Sequence, residues 1–127
     1  MKLLIADDSP MLRERLATLL SQIPGIELVG QAENGREAVR LAATLKPDIV
    51  VMDIKMPEKN GIEALVEIKK EQSSPRVVIF TSFPFPQHEK RCLELGAERF
   101  LDKSNDIDQL QQFLKGAVQA KSDFECK

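Results

Sequence analysis

Four aspartates, a threonine and a lysine stand in this chain where apolar runs stop. Asp7 and Asp8 end LLIA, Asp53 follows IVVM, Thr81 and Ser82 follow VVIF, and Asp102 and Lys103 follow RFL. Each has an ordinary explanation alone. An aspartate after a strand is commonly a turn former or a helix cap. Thr81 could be a β-branched strand residue and Lys103 a solvated charge. Gathered in one cleft, however, three carboxylates raise one another's pKa values unless a cation sits among them. A hard divalent ion suits them, and Mg²⁺ needs only a few protein oxygens while keeping waters or phosphate oxygens for the rest. Lys103 then offers a point charge and Thr81 a neutral donor to a phosphoryl group, with a carboxylate as nucleophile.

Whether these side chains meet depends on the elements that carry them. Apolar runs occupy residues 3–6, 26–32, 49–52, 77–81 and 99–101. They are rich in Val, Ile and Leu and mostly continuous, as strands covered on both faces of a parallel sheet should be. Helical patterns lie between them. Leu12, Leu16, Leu19, Leu20 and Ile23 form one stripe after Ser9 as N-cap and Pro10 at the first helical position, with Gly25 as the stop. Ala38, Leu41, Ala42 and Leu45 form a second, ended by Pro47. Ile62, Leu65 and Val66, with the stem of Lys69, form a third. A weaker fourth runs from Gln87 to Leu95 and closes at Gly96; Ile107, Leu110, Leu114, Ala117 and Val118 form the fifth. Five strands alternating with five helices predict an α/β fold, a parallel sheet with right-handed crossovers and helices on both faces. In such a sheet ligands bind beyond the carboxyl ends of the strands. The polar residues all arrive at that edge. Ser9 is the better helix cap, which frees Asp7 and Asp8 for other work.

Composition narrows the options. A chain of 127 residues, 43% hydrophobic and 30% charged, is most simply one globular domain. A net charge of −2 builds in no attraction to nucleic acid or anionic membrane, and basic residues cluster only in pairs such as Lys69-Lys70 and Lys90-Arg91. No apolar run approaches a signal-peptide core or a membrane span. Cys92 and Cys126 match no metal spacing and read as free thiols of a cytoplasmic protein, and the single His88 has no ligand companion at helical spacing. Residues 122–127 lose the apolar stripe and are expected to fray as a short tail beyond a domain of residues 1–121.

The stretches LLIADDSPMLR, PDIVVMDIKMPEKNGIEAL, VVIFTS and LGAERFLDKS, in that order and spacing, resemble the receiver domain of two-component response regulators over nearly the whole chain. The resemblance implies a flavodoxin-like, doubly wound (βα)5 fold with strand order 2-1-3-4-5. It implies that Asp53 accepts a phosphoryl group. Mg²⁺ would be held by Asp8 directly, by Asp7 through water, by Asp53 and by the backbone carbonyl of Lys55. Thr81 and Lys103 would contact the phosphoryl group, and Phe100 would be the switch aromatic. Pro57 and Gly61 match the turn after the third strand. The expected partners are a sensor histidine kinase or phosphotransfer protein and an output protein bound through the fourth helix, fifth strand and fifth helix, with no direct nucleic-acid or membrane contact. Phosphotransfer and dephosphorylation of such a domain are self-catalysed, and it is not otherwise an enzyme.

Two features depart from the pattern. Ser104 replaces the usual proline after the active-site lysine, so the Lys103–Ser104 peptide is expected to be trans or the loop strained. In SFPFPQHEK, Pro84 and Pro86 bar a helix until about Gln87, leaving Phe83 and Phe85 either packed on the fourth helix or exposed as a partner surface. Phe83 and Lys55 also fall where the family tunes dephosphorylation. The chain reads as a single-domain regulator; a phosphorelay intermediate and a receiver of a longer DNA-binding regulator are the alternatives. A Mg²⁺-dependent aspartyl phosphatase of the haloacid dehalogenase type would need Asp-x-Asp at the first strand. A flavin-binding flavodoxin would need a Ser/Thr/Gly-rich phosphate loop where Asp7 and Asp8 stand.

Overall fold

The computed structural model describes residues 1–71 and 74–125, with side chains through residue 121. Its elements alternate: β1 (Lys2–Ala6), α1 (Pro10–Ser21), β2 (Glu27–Ala32), α2 (Gly35–Leu45), β3 (Ile49–Met52), α3 (Gly61–Ile68), β4 (Arg76–Thr81), α4 (Pro86–Glu94), β5 (Arg99–Asp102) and α5 (Ile107–Glu125). The strands form one parallel sheet in the order β2-β1-β3-β4-β5. The chain is therefore flavodoxin-like, and the strand order reverses between β1 and β3.

The period of two along each strand divides the core. Leu3, Ile5, Val51, Val78 and Phe80 pack with Leu16 and Leu20 of α1 and Leu110 and Leu114 of α5. Leu4, Ala6, Met52 and Ile79 face the other way, onto Ala38 of α2, Leu65 of α3 and Cys92 of α4. The inner strands are buried on both faces, which is why their apolar runs are continuous. Edge strand β2 is different: only Ala32 is buried, and Glu27 and Gln31 are exposed.

Helix starts follow side-chain chemistry. Ser9 Oγ accepts from the Leu12 N–H at 3.3 Å, and Asn34 Oδ1 from the Glu37 N–H at 2.7 Å. Asn60 and Glu63 form a reciprocal capping box on α3. The buried face of α3 is Gly61, Ala64, Leu65 and Ile68, whereas Ile62 and Val66 of the expected stripe are only half-buried. Small residues allow the closer approach. Helix α4 begins at Pro86, one residue earlier than expected, because proline suits the first helical position. Helix α5 continues to Glu125, past residue 121 where fraying is expected; residues 126 and 127 lie outside the described residues. Cys92 is a free thiol, buried in the core on the sheet face that α2, α3 and α4 cover, and burial pushes its pKa up to about 11; Cys126 is not among the described residues. No helix among them is long and apolar enough to cross a membrane.

Candidate functional site

The parallel ladder continues one residue beyond three strands, and that extension builds the site. The Asp7 N–H donates to the Ala32 carbonyl and the Asp53 N–H to the Ala6 carbonyl, both at 3.0 Å; the Lys103 N–H donates to the Thr81 carbonyl at 2.9 Å. Asp7, Asp53 and Lys103 therefore leave the sheet at the same edge. The loop after β3 is fixed by close backbone approach. The Gly61 N–H donates to the Ile54 carbonyl at 2.7 Å, and a Cβ at Gly61 would stand 2.0 Å from the Asp53 carbonyl oxygen. Glycine lets α3 begin directly behind Asp53. At Gly35 a Cβ would stand 2.0 Å from the Lys59 carbonyl oxygen, so the start of α2 pins the same loop.

The side chains meet as an ionic bridge. Lys103 Nζ donates to Asp7 Oδ2 at 2.5 Å and to Asp53 Oδ2 at 2.8 Å, with the three side chains 8%, 2% and 7% exposed. The other oxygen of each aspartate takes a backbone N–H: Asp7 Oδ1 from Ser9 at 2.9 Å and Asp53 Oδ1 from Ile54 at 2.7 Å. Each carboxylate is thus aimed, with one oxygen held locally and one turned to the centre. Burial lowers the Lys103 pKa, but hydrogen bonds to Asp53 and Asp7 and their charges outweigh it, so the net shift is upward. Two buried carboxylates facing one ammonium leave the centre electron-rich.

Asp8 is exposed, at the mouth of the site. Asp7, Asp8 and Asp53 each offer a carboxylate oxygen within 4.8 Å of the others. That all-oxygen donor set fits a hard divalent cation such as Mg²⁺, and the ammonium bridging two of its members shows that a cation is accommodated there.

The remaining expected residues are more dispersed. Thr81 is fully buried, and its Oγ1 accepts from the Phe83 N–H at 3.1 Å. Phe100 is half-buried against the α2–α4 side of the core. The Lys55 side chain turns outward, with Nζ 5.1 Å from the centroid of the Phe83 ring. Phe83 and Phe85 are exposed, although Phe85 touches α4 through the His88 ring.

Three local features escape sequence reasoning. Asp7 is not freed from local duty by Ser9, since it takes the Ser9 N–H itself. Arg13 Nη1 donates to the Asp7 carbonyl at 2.7 Å, tying the first turn of α1 to the acidic pair; a basic residue one turn after the N-cap was the available signal. The Lys103 loop, without its proline, is shaped by aspartates instead. Asp102 Oδ1 accepts from the Ser104 N–H and Asp106 Oδ2 from the Asp102 N–H, both at 2.9 Å. No peptide among the described residues is cis, as Ser104 permits.

Comparison with known proteins points in one direction. The family model of the response regulator receiver domain matches residues 3–115. A protein-glutamate methylesterase/protein-glutamine glutaminase of Alkalilimnicola ehrlichii is 41% identical over 124 residues, 92% of this chain and 32% of that protein. Transcriptional regulatory protein LiaR of Bacillus subtilis is 35% identical over 126 residues, 99% of this chain and 60% of that protein. The chain thus spans between about a third and three fifths of these relatives. The response regulator domain of Thermotoga maritima CheB superposes with a TM-score of 0.83 at 33% identity, covering 94% of both chains. A LuxR-family two-component response regulator from Aurantimonas sp. gives 0.86 at 33% identity, covering 94% of this chain and 85% of that one.

Proposed function

The chain belongs to the receiver domains of two-component response regulators, and from that membership we propose that Asp53 is its phosphoacceptor. Asp53 Oδ2, the oxygen turned to the centre and held by Lys103, attacks the phosphorus of a phosphohistidine on a sensor kinase or phosphotransfer protein. The P–N bond breaks, its electron pair returns to the imidazole, and an acyl phosphate forms on Asp53. Asp7, Asp8, Asp53 and the Lys55 carbonyl would hold Mg²⁺, which neutralises charge on the phosphoryl oxygens when bound. Asp7 and Asp8 orient their oxygens toward that centre. Lys103 exchanges its bond to Asp53 for one to a phosphoryl oxygen. Thr81 donates its hydroxyl to another oxygen, and Phe100 turns inward into the space so opened. The α4–β5–α5 surface is thereby switched for an output partner.

The Asp7–Lys103–Asp53 bridge is the observation that carries this reading: a buried nucleophile already held by the cation that its phosphorylated form would use. The domain's reactions are self-catalysed transfer and dephosphorylation, carried out in the cytoplasm. Its similarity to LiaR supports a second reading for the output, in which the receiver serves a longer DNA-binding regulator. Intact-mass spectrometry after acetyl phosphate and Mg²⁺ tests the acceptor. Wild type gains one phosphoryl group and Asp53→Asn gains none; an adduct forming at the same rate on the variant would overturn the assignment.

A further inference from the structure

Beside the phosphoryl site, the loops after β3 and β4 enclose a groove of about 480 Å³. Met56, Ile62, Phe83, Phe85 and His88 wall it, with Lys55 on its rim. Phe83 and Phe85 are 41% and 48% exposed, their ring centroids 6.3 Å apart, and the His88 ring stands edge-on to Phe85 at 5.5 Å. Two neighbouring exposed aromatic rings on a groove are a surface that water solvates poorly.

The polar groups of the groove share a preference. Lys55 Nζ lies over the Phe83 ring and has no carboxylate within 4.0 Å among the described residues. Helix α4 starts at Pro86 after Phe85 as an N-cap without a side-chain bond. Pro86 brings no N–H and those of His88 and Glu89 donate to the Phe85 carbonyl, which leaves the Gln87 N–H at the positive end of the helix, with Glu89 in its first turn. His88 Nδ1 is buried without a hydrogen-bond partner and can donate in one tautomer. The Lys55 ammonium and the Gln87 N–H can donate to a carboxylate, and no carboxylate lines the groove.

We propose that this groove docks a short acidic segment of a protein partner. An aromatic or leucine side chain of that segment would lie between Phe83 and Phe85, with a neighbouring carboxylate against Lys55 and the α4 N-terminus. Docking is coupled to the acceptor through one bond, the Phe83 N–H donated to Thr81 Oγ1. This coupling rests on the proposed role of Thr81: when its hydroxyl turns to a phosphoryl group, the Phe83 N–H is released and the aromatic wall moves. The effect is reciprocal, so a docked segment changes how readily Asp53 is modified.

The test is an NMR titration of the full chain with the peptide Ac-Gly-Asp-Leu-Phe-Asp-Gly-amide. Amides of Lys55, Phe83, Phe85 and His88 should shift, and the peptide with both Asp replaced by Asn should bind about threefold more weakly. Phe85→Ser, with an unchanged far-UV spectrum, should weaken binding about tenfold. Lys55→Glu should turn the preference toward a lysine-bearing analogue. Equal binding of the acidic and neutral peptides, or shifts confined to other surfaces, would overturn the proposal. So would groove shifts produced by raising protein concentration alone, which would make a second copy the occupant. Adding beryllofluoride with Mg²⁺ should change peptide affinity. An unchanged affinity, while the Asp53 adduct forms normally, would overturn the coupling; peptide binding without any adduct would instead sink the acceptor reading and leave the docking site standing.

Discussion

Strands β4 and β5 carry an ion pair at each end, and the two are built in opposite ways. At the amino end Arg76 and Glu98 form a bidentate fork, Nε to Oε1 and Nη2 to Oε2, both 2.8 Å, with side chains 41% and 36% exposed. At the carboxyl end Lys103 spans Asp7 and Asp53 with all three side chains under a tenth exposed. The outer pair has the better geometry and the lesser consequence, because water already solvates both partners. The inner cluster has two negative charges against one positive and has lost most of its water. Burying unequal charge is a poor route to stability. Its presence at the ligand-binding edge fits a group held ready for chemistry.

The largest expected effect comes from breaking the inner cluster. Lys103→Met leaves Asp7 and Asp53 facing each other without their ammonium and should cost about 3 kcal/mol in urea unfolding without Mg²⁺. Adding Asp53→Asn to that variant should recover much of the loss, because it removes the uncompensated charge. Millimolar Mg²⁺ should also stabilise Lys103→Met more than wild type. If Lys103→Met unfolds at the wild-type urea midpoint, the contrast between the two ends is wrong.

A smaller effect should come from the support of the cluster. Arg13 reaches the Asp7 carbonyl and not its carboxylate, so it positions the acidic pair without taking a ligand's place. Arg13→Ala should weaken Mg²⁺ binding about threefold by calorimetric titration and lower stability by about 1 kcal/mol. Arg13→Lys, which keeps a donor and the charge, should recover part of both. Unchanged Mg²⁺ affinity alongside lost stability would confine Arg13 to holding α1.

How far this contrast can be read from sequence differs between its parts. Asp7, Asp8, Asp53, Thr81 and Lys103 are legible because a polar residue ending a buried apolar run is costly and needs a reason. The strands are legible because burial on both faces makes Ile49–Met52 and its neighbours continuously apolar. Arg13 and the Asp102–Asp106 loop are less so: a basic residue one turn after the N-cap hints at Arg13, but the partners of both are backbone groups that every sequence has. The exposure of Phe83 and Phe85 is hidden too: two prolines predict a stiff loop but not which way its rings point. The face of α3 is misjudged at Ala64, where shape complementarity rather than hydrophobicity decides burial.

The smallest effect should come from the outer pair, and its pH dependence separates it from the inner one. Hydrogen bonding from Arg76 holds the Glu98 carboxyl below its ordinary 4.5, against the opposing effect of burial. A carboxyl lowered in the folded state stabilises above its unfolded pKa and loses that contribution as pH falls through the lowered value. Glu98→Gln should therefore cost no more than about 0.5 kcal/mol at neutral pH, since both side chains are more than a third exposed. The difference from wild type should shrink to nothing in acid and fall with added salt, as screening of exposed charge requires. A loss as large as that of Lys103→Met would mean that the fork, and not burial, sets the strength of an ion pair on this sheet.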